Sequence, residues 1–485
     1  MLSSMVTPSH VATMGLLLVS GIWATVLFKV GTARTATRDA TLTTFLLWVL
    51  GLTPVLVQLV SPRAFLTRFD ITTQDTGVVA LGVRVSQIGT LVAMGISAVI
   101  LLSPGKSNTS RRPALALVAF YLTAFFSAVL GSHGGVGRPI LLAPLAMLAL
   151  AFGQRPSPDS LLHHLRWITR VYTWGSLVAL VVAHSWATFR VALYQDTYAE
   201  RNYFGVGQLV GLTPHPNVLG PIAATALLLE LTRRARRPGW WINAGAAAGV
   251  LLLAQSRTSW LAAAVAIVAM ALAPTPGRRR GRTSAALTSA LVASIASILA
   301  VPTVQTFVAN LTGNRDLTTG NGRTLAFHYA YAEYEKNKLF GYGPSIFSPE
   351  YRARFLGTDL GWLGQAHNQV VQSLAEGGLL ALFALLMVFL SFTRAAWASR
   401  RIYGALPVGL ATLLLVRGMG EASLRNRAYD ALFFTLVAAV MVVMEPTADN
   451  PASAASAPAQ EPGSQALSPP RRTSQASPAA MAASR

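Results

Sequence analysis

Not one of the 485 residues is a cysteine, which rules out disulfides, zinc–thiolate centres and thiol nucleophiles. Charge is scarce as well: Asp, Glu, Lys and Arg make up 12% of the chain, against about 25% in an ordinary soluble protein. Lysine is nearly missing, with Lys29, Lys106, Lys336 and Lys338 the only examples, so arginine carries the net charge of +21. No Asp/Glu pair stands at metal-binding spacing, and neither a metal nor any other cofactor is expected. No basic stretch precedes the first apolar run, which therefore reads as a retained helix and not as a cleaved signal.

What the chain has instead is apolar residues, 53% of the total. They gather in runs of about 20, the length needed to cross a hydrocarbon core of roughly 30 Å. Backbone polar groups must be paired within lipid, and nothing in the pattern alternates as a membrane barrel requires, so the runs are expected to be helices. They fall near 11–29, 40–61, 79–103, 113–131, 139–153, 168–186, 215–232, 240–256, 258–273, 284–303, 369–393, 404–417 and 428–444. The expected fold is all-α: a polytopic transmembrane helical protein of about 12–13 membrane helices.

The arginines are clustered, not spread. Arg155–Arg170, Arg233–Arg237, Arg278–Arg282 and Arg394–Arg401 lie at alternate ends of successive helices, and such clusters mark the cytoplasmic side. This explains the positive charge through anionic lipid, with no nucleic acid involved. Two connections, about 187–214 and 304–368, then face outward and exceed the length of a turn. Three regions result: N-terminal helices over 1–190, a catalytic membrane region over 191–444 that includes both loops, and a tail over 445–485. Ala, Pro, Ser and Gln dominate that tail, and a disordered cytoplasmic segment is expected.

The outward connections collect the residues able to do chemistry. The first holds Arg201 and, at its end, His215-Pro216-Asn217. Ser256-Arg257 sits in a short hairpin between two apolar runs, where an ionisable side chain is a functional candidate by default. The long loop carries Arg323 and ends in His367-Asn368, and the last outward turn contains Arg417 and Glu421. Guanidinium groups grip phosphate oxygens, and a histidine nearby handles a proton at neutral pH. Each residue also has a plainer role: the arginines snorkel, His215 shapes a helix entry, and His367 caps the helix that follows it.

The ordered set of these pieces resembles the O-antigen ligase and polymerase superfamily. The stretch Gly322-Arg323, Leu339-Phe340-Gly341-Tyr342-Gly343, Gln365-Ala366-His367-Asn368 and Glu376-Gly377-Gly378, closing in an apolar helix through Phe383, is similar to the family's signature region. Arg201, His215-Pro216-Asn217 and Ser256-Arg257 fit upstream. The resemblance covers roughly 200–440, and the first 190 residues share only their helical character.

That resemblance implies a metal-independent, membrane-embedded glycosyltransferase. Its donor would be an undecaprenyl-pyrophosphate-linked glycan, and its acceptor a hydroxyl on a glycan, glycolipid or other molecule. It would sit in the cell's inner or plasma membrane, multi-pass and among membrane lipid, with the active site facing the periplasm or exterior. His367 is assigned to acceptor activation, and Arg257 and Arg323 to the pyrophosphate. Arg201, Asn368, Glu421 and His215 are expected to assist substrate binding. A repeat-unit polymerase shares these residues. A transporter, the alternative from another class, calls for paired mid-membrane helix breaks and an internal repeat, and neither is visible in the sequence.

Overall fold

The computed structural model describes residues 35–60, 77–102, 112–131, 141–152, 158–189, 207–232, 239–273, 323–356 and 364–424. The runs expected at 11–29, 284–303 and 428–444, the tail over 445–485 and Arg201 lie outside them. Each of the other ten apolar runs coincides with a helix. The helices are α1 (Thr35–Val60), α2 (Gly77–Leu102), α3 (Arg112–Leu130), α4 (Leu142–Phe152), α5 (Pro158–Val182), α6 (His184–Ala187) and α7 (Pro216–Leu231). After them come α8 (Trp240–Leu253), α9 (Arg257–Leu272), α10 (Arg323–Lys336), α11 (Pro349–Phe355), α12 (Gln369–Tyr403) and α13 (Leu406–Gly420). Among the described residues there is no strand, only an isolated bridge between Thr188 and Leu209. The protein is all-α and polytopic.

Four described helical stretches are long and apolar enough to span a membrane: Thr41–Val60, Leu81–Leu102, Arg112–Leu130 and Gln369–Arg400. Helices α4, α7, α8, α9 and α13 are apolar but shorter. The 16 residues of α7 reach only about 24 Å. Leu46, Leu117, Met147, Leu150 and Tyr172 are wholly buried where helices meet, and the Tyr172 hydroxyl donates to the Gly51 carbonyl at 2.6 Å, tying α5 to α1.

The two ends of α7 differ in character. At its C-terminal end Glu230, 2% exposed, accepts from Arg170 Nε at 2.8 Å, and Arg166 Nε donates to the Leu229 carbonyl at 3.3 Å. The arginine-bearing start of α5 therefore packs beside the end of α7. The opposite end of α7 leads into the candidate site.

Helix α12 was expected to be one continuous apolar run, and it is not. Gly378 has φ 60° and ψ −152°, which interrupts the helix one residue after Gly377. The interruption frees carbonyls on one side and amides on the other, and the Lys338–Gly343 segment takes up both sets. Tyr342 N donates to Ala375 O at 2.8 Å and Gly343 N to Glu376 O at 3.1 Å. In return Leu379 N donates to Lys338 O at 2.8 Å and Leu380 N to Leu339 O at 3.3 Å. Ser127 of α3 donates to the carbonyls of both Phe340 and Glu376. A Cβ on Gly341 would lie 2.7 Å from Ala375 O, and one on Gly378 2.4 Å from Leu339 O, so both positions require glycine. The Gly-Tyr-Gly sequence of the signature region is thus a plug for a broken helix.

Around that plug α10, α11 and the start of α12 build a small core of their own from Ala326, Tyr342, Phe347, Tyr351, Ala366 and Ala375. Glu333, 4% exposed, accepts from Lys336 Nζ at 2.8 Å and from the Tyr351 hydroxyl at 3.1 Å. Burial pushes the Tyr351 hydroxyl far above its ordinary range, and the Glu333 carboxylate adds to the shift. It therefore remains a protonated donor that ties α11 to α10.

Candidate active site

Three helix N-termini meet at one place. Asn217 at the start of α7 bonds to Ser256, immediately before α9, and to Glu421, which also meets His367, the residue before the α12 cap Asn368. Ser256 Oγ donates to Asn217 Oδ1 at 3.0 Å, and Asn217 Nδ2 donates to Glu421 Oε1 at 2.8 Å. Asn368 caps α12, its Oδ1 accepting from Val370 N at 2.9 Å and Val371 N at 3.1 Å. Its Nδ2 donates to Met419 O at 3.0 Å. A Cβ on Gly220 would meet Ser259 Oγ at 2.6 Å, and one on Gly420 would meet Thr258 Cγ2 at 2.6 Å. Both glycines permit the close helix approach that brings these ends together. The dipole of each helix places about half a positive charge at its N-terminus, so the junction favours negative charge.

Glu421, at the C-terminal cap of α13 and 1% exposed, is the hub. Its Oε1 accepts from Asn217, and its Oε2 accepts from Gln365 Nε2 at 2.7 Å and lies 3.1 Å from His367 Nδ1. With the carboxylate as acceptor, the imidazole proton resides on Nδ1, and Nε2 is left as the basic nitrogen. His367 is about one-fifth exposed while Glu421 is enclosed. A carboxylate that holds one nitrogen of a partly exposed histidine is an arrangement suited to a general base.

The backbone is strained at the same place. Among the described residues three non-glycines have positive φ: Gln255 at 51°, His367 at 52° and Phe347 at 59°. The first two directly precede Ser256 and Asn368 in space-defining turns. Such conformations persist only where their surroundings hold them.

Of the sequence candidates, the structure joins His367 to Glu421 directly and sets Asn368 beside them as the cap of α12. Arg257 opens α9 beside Ser256, half-buried, in a turn of Ala254, Gln255 and Ser256. Arg323 is the first residue of α10, one turn from Ala326, which shares a core cluster with Ala366. His215 serves as the N-cap of α7: its Nδ1 accepts from Asn217 N at 3.1 Å, and its ring lies edge-on to Phe189 with centroids 5.0 Å apart. That is the helix-entry role its flanking prolines suggest.

Four residues given no individual role by the sequence belong to the network. Asn217 bridges Ser256 and Glu421, and Ser256 completes that link. Gln365 supports the carboxylate. Arg417, 3% exposed, donates from Nη2 to the Asn217 carbonyl at 2.6 Å. Asn217 and Gln365 neighbour the motif histidines, which was the available signal. Arg417 and Glu421 fall one helical turn apart, on one face of α13.

The fold and site together define a polytopic helical membrane protein with a carboxylate-held histidine among converging helix N-termini. Residues 242–386 match the family model described as O-antigen ligase. Over that span the chain is similar to the O-antigen ligases. The matched span includes Ser256, Arg257, Arg323, Gln365, His367 and Asn368, while Asn217, Arg417 and Glu421 lie outside it. No curated protein matches the chain.

Proposed function

We propose that this protein transfers a glycan from an undecaprenyl-pyrophosphate-linked donor to an acceptor hydroxyl at the outer face of the cytoplasmic membrane. The observation that carries the reading is the His367–Glu421 pair at the meeting point of three helix N-termini. His367 Nε2 takes the acceptor's proton as its oxygen forms the new bond to the anomeric carbon. The bond from that carbon to the phosphate oxygen breaks from the opposite side, so configuration inverts and undecaprenyl pyrophosphate departs with the electron pair. Glu421 stabilises the imidazolium that forms. Negative charge developing on the leaving group is met by Arg257, Arg323 and the amide ends of α7, α9 and α12, with Arg201 as a further contact.

A divalent cation has no assigned part, because these cationic groups neutralise the leaving group themselves. The transporter alternative fits less well with Gly378: the backbone groups freed there are taken up by the Lys338–Gly343 segment and do not line a transport site.

The test is transfer by the purified protein in liposomes from a polyprenyl-pyrophosphate donor. His367→Ala should lower turnover by about 10³-fold, within the range general base catalysis supplies, and Arg257→Ala should abolish measurable transfer. A chelator should leave the wild-type rate unchanged. Full activity in either variant sinks the assignment. A single addition identifies a ligase, and a ladder of products identifies a polymerase.

A further inference from the structure

Buried polar groups that the mechanism above does not use concentrate in the first two turns of α12. Gln372 is 1% exposed and Glu376 8% exposed, and they stand four apart on one helix face. Gln372 Oε1 accepts from the backbone N of Ala366 at 2.7 Å, and Gln372 Nε2 donates to Glu376 Oε1 at 2.7 Å. The amide held by Gln372 belongs to the residue before His367, whose backbone is left-handed at φ 52°. On the far side of His367, Asn368 is fixed as the cap of α12. The carbonyl of Glu376 in turn accepts from Gly343 N and from Ser127 Oγ at the helix break. Glu376 therefore bonds to the plug through its backbone carbonyl and to Gln372 through its carboxylate, and Gln372 reaches Ala366 in the turn that carries His367.

We propose that Gln372 and Glu376 are positioning residues for His367. The pair fixes the Gln365–Ala366 peptide that leads into the left-handed turn at His367, the turn that keeps Nδ1 against Glu421, and it ties that turn to the plugged break at Gly378. The proposal rests on the glycan-transfer reading, in which His367 Nε2 receives the acceptor proton. Glu376 acts as a hydrogen-bond acceptor only and exchanges no proton with substrate. A competing role exists in the geometry, because Glu376 and Ser373 also line a crevice with Phe120, Tyr121, Thr123 and Leu424. A residue that contacts substrate there changes KM, whereas a positioning residue changes kcat.

The experiment uses the full-length protein in proteoliposomes, with Gln372→Leu, Glu376→Ala and Glu376→Gln compared at matched amounts of monodisperse protein. Gln372→Leu and Glu376→Ala should lower kcat by about 10- to 100-fold, the scale of a small misplacement of a reacting group, with KM for donor and acceptor within about 2-fold. Glu376→Gln keeps an acceptor oxygen for Gln372 and should stay within about 3-fold of wild type in kcat. A second measurement needs no turnover: the rate at which diethyl pyrocarbonate modifies His367, read by mass spectrometry against exposed His163. Loss of the relay releases Nδ1, so this rate should rise at least about 5-fold in Gln372→Leu and Glu376→Ala and not in Glu376→Gln. Glu376→Gln as slow as Glu376→Ala, a change confined to KM, or an unaltered modification rate each overturns the proposal. If Glu376→Ala does not fold, Gln372→Leu decides the matter. If the wild type transfers no glycan, the glycan reading falls and the modification rates alone decide whether the relay holds His367.

Discussion

At the residue scale, the proposed chemistry turns on which nitrogen of His367 bonds to Glu421. Glu421 claims Nδ1 at 3.1 Å, and Gln365 and Asn217 hold Glu421 in place through its two oxygens. Glu421→Gln keeps the size of the side chain and most of its contacts but presents an amide where a carboxylate acceptor stood. It no longer fixes the proton on Nδ1 and cannot balance an imidazolium. Turnover should fall by about 10²-fold or more while donor KM changes little, since the loss is confined to the transition state. Steady-state kinetics in proteoliposomes check this, and an unchanged kcat would remove Glu421 from the mechanism. Arg257 was named as a candidate from its short turn between two apolar runs, and His367 from the motif that carries the family resemblance. Glu421 was named as a candidate too, but its partners were not legible, because its bond to His367 spans 54 positions and its bond to Asn217 spans 204.

At the element scale, the informative feature is the interrupted α12. A hydropathy reading sees a single apolar run from 369 to 393, because the glycine pair leaves the local average high. The interruption exists only because the Lys338–Gly343 segment is present to pair the freed amides and carbonyls. Gly378→Ala places a Cβ 2.4 Å from Leu339 O in a backbone region open almost only to glycine. The variant should be destabilised by at least about 2 kcal/mol. Because the plug joins the His367 turn, activity should drop with stability. Thermal unfolding of the detergent-solubilised protein gives the answer, and wild-type stability in the variant would contradict the plug. The neighbouring Gly341-Tyr342-Gly343 sequence is too short for a phosphate loop, and its backbone amides are engaged by Ala375 and Glu376.

At the scale of the whole molecule, α7 separates two environments. Its C-terminal end carries the Arg170–Glu230 pair and its N-terminal end carries Asn217. Arg170→Met leaves Glu230, 2% exposed, without that partner, and should cost about 3 kcal/mol. Adding Glu230→Met should recover most of the loss, because a buried ion pair and an apolar pair of similar volume are close in energy. Denaturation of the single and double variants measures both effects, and equal losses would remove the pair from the stability of the fold. The orientation can be tested directly, since a chain without cysteine is its own labelling background. In right-side-out vesicles an impermeant maleimide should label Lys338→Cys at once and His163→Cys only after permeabilisation. The reverse pattern would place the site on the cytoplasmic side.

Hydropathy and charge along the chain were enough to show that it is helical, that it crosses the membrane repeatedly, and which ends of its helices carry arginine. Those properties are sums over neighbouring residues, so hydropathy and charge report them without knowledge of packing. Arg257 was singled out in the same local way, by its place between two apolar runs, whereas His367 was singled out by a motif resemblance. Only the tertiary structure decided that α7, α9 and α12 start at one point, that Glu421 holds His367 there, and that α12 is broken and plugged. Those outcomes rest on hydrogen bonds between residues far apart in the chain, whose formation depends on how closely glycine-bearing helices pack.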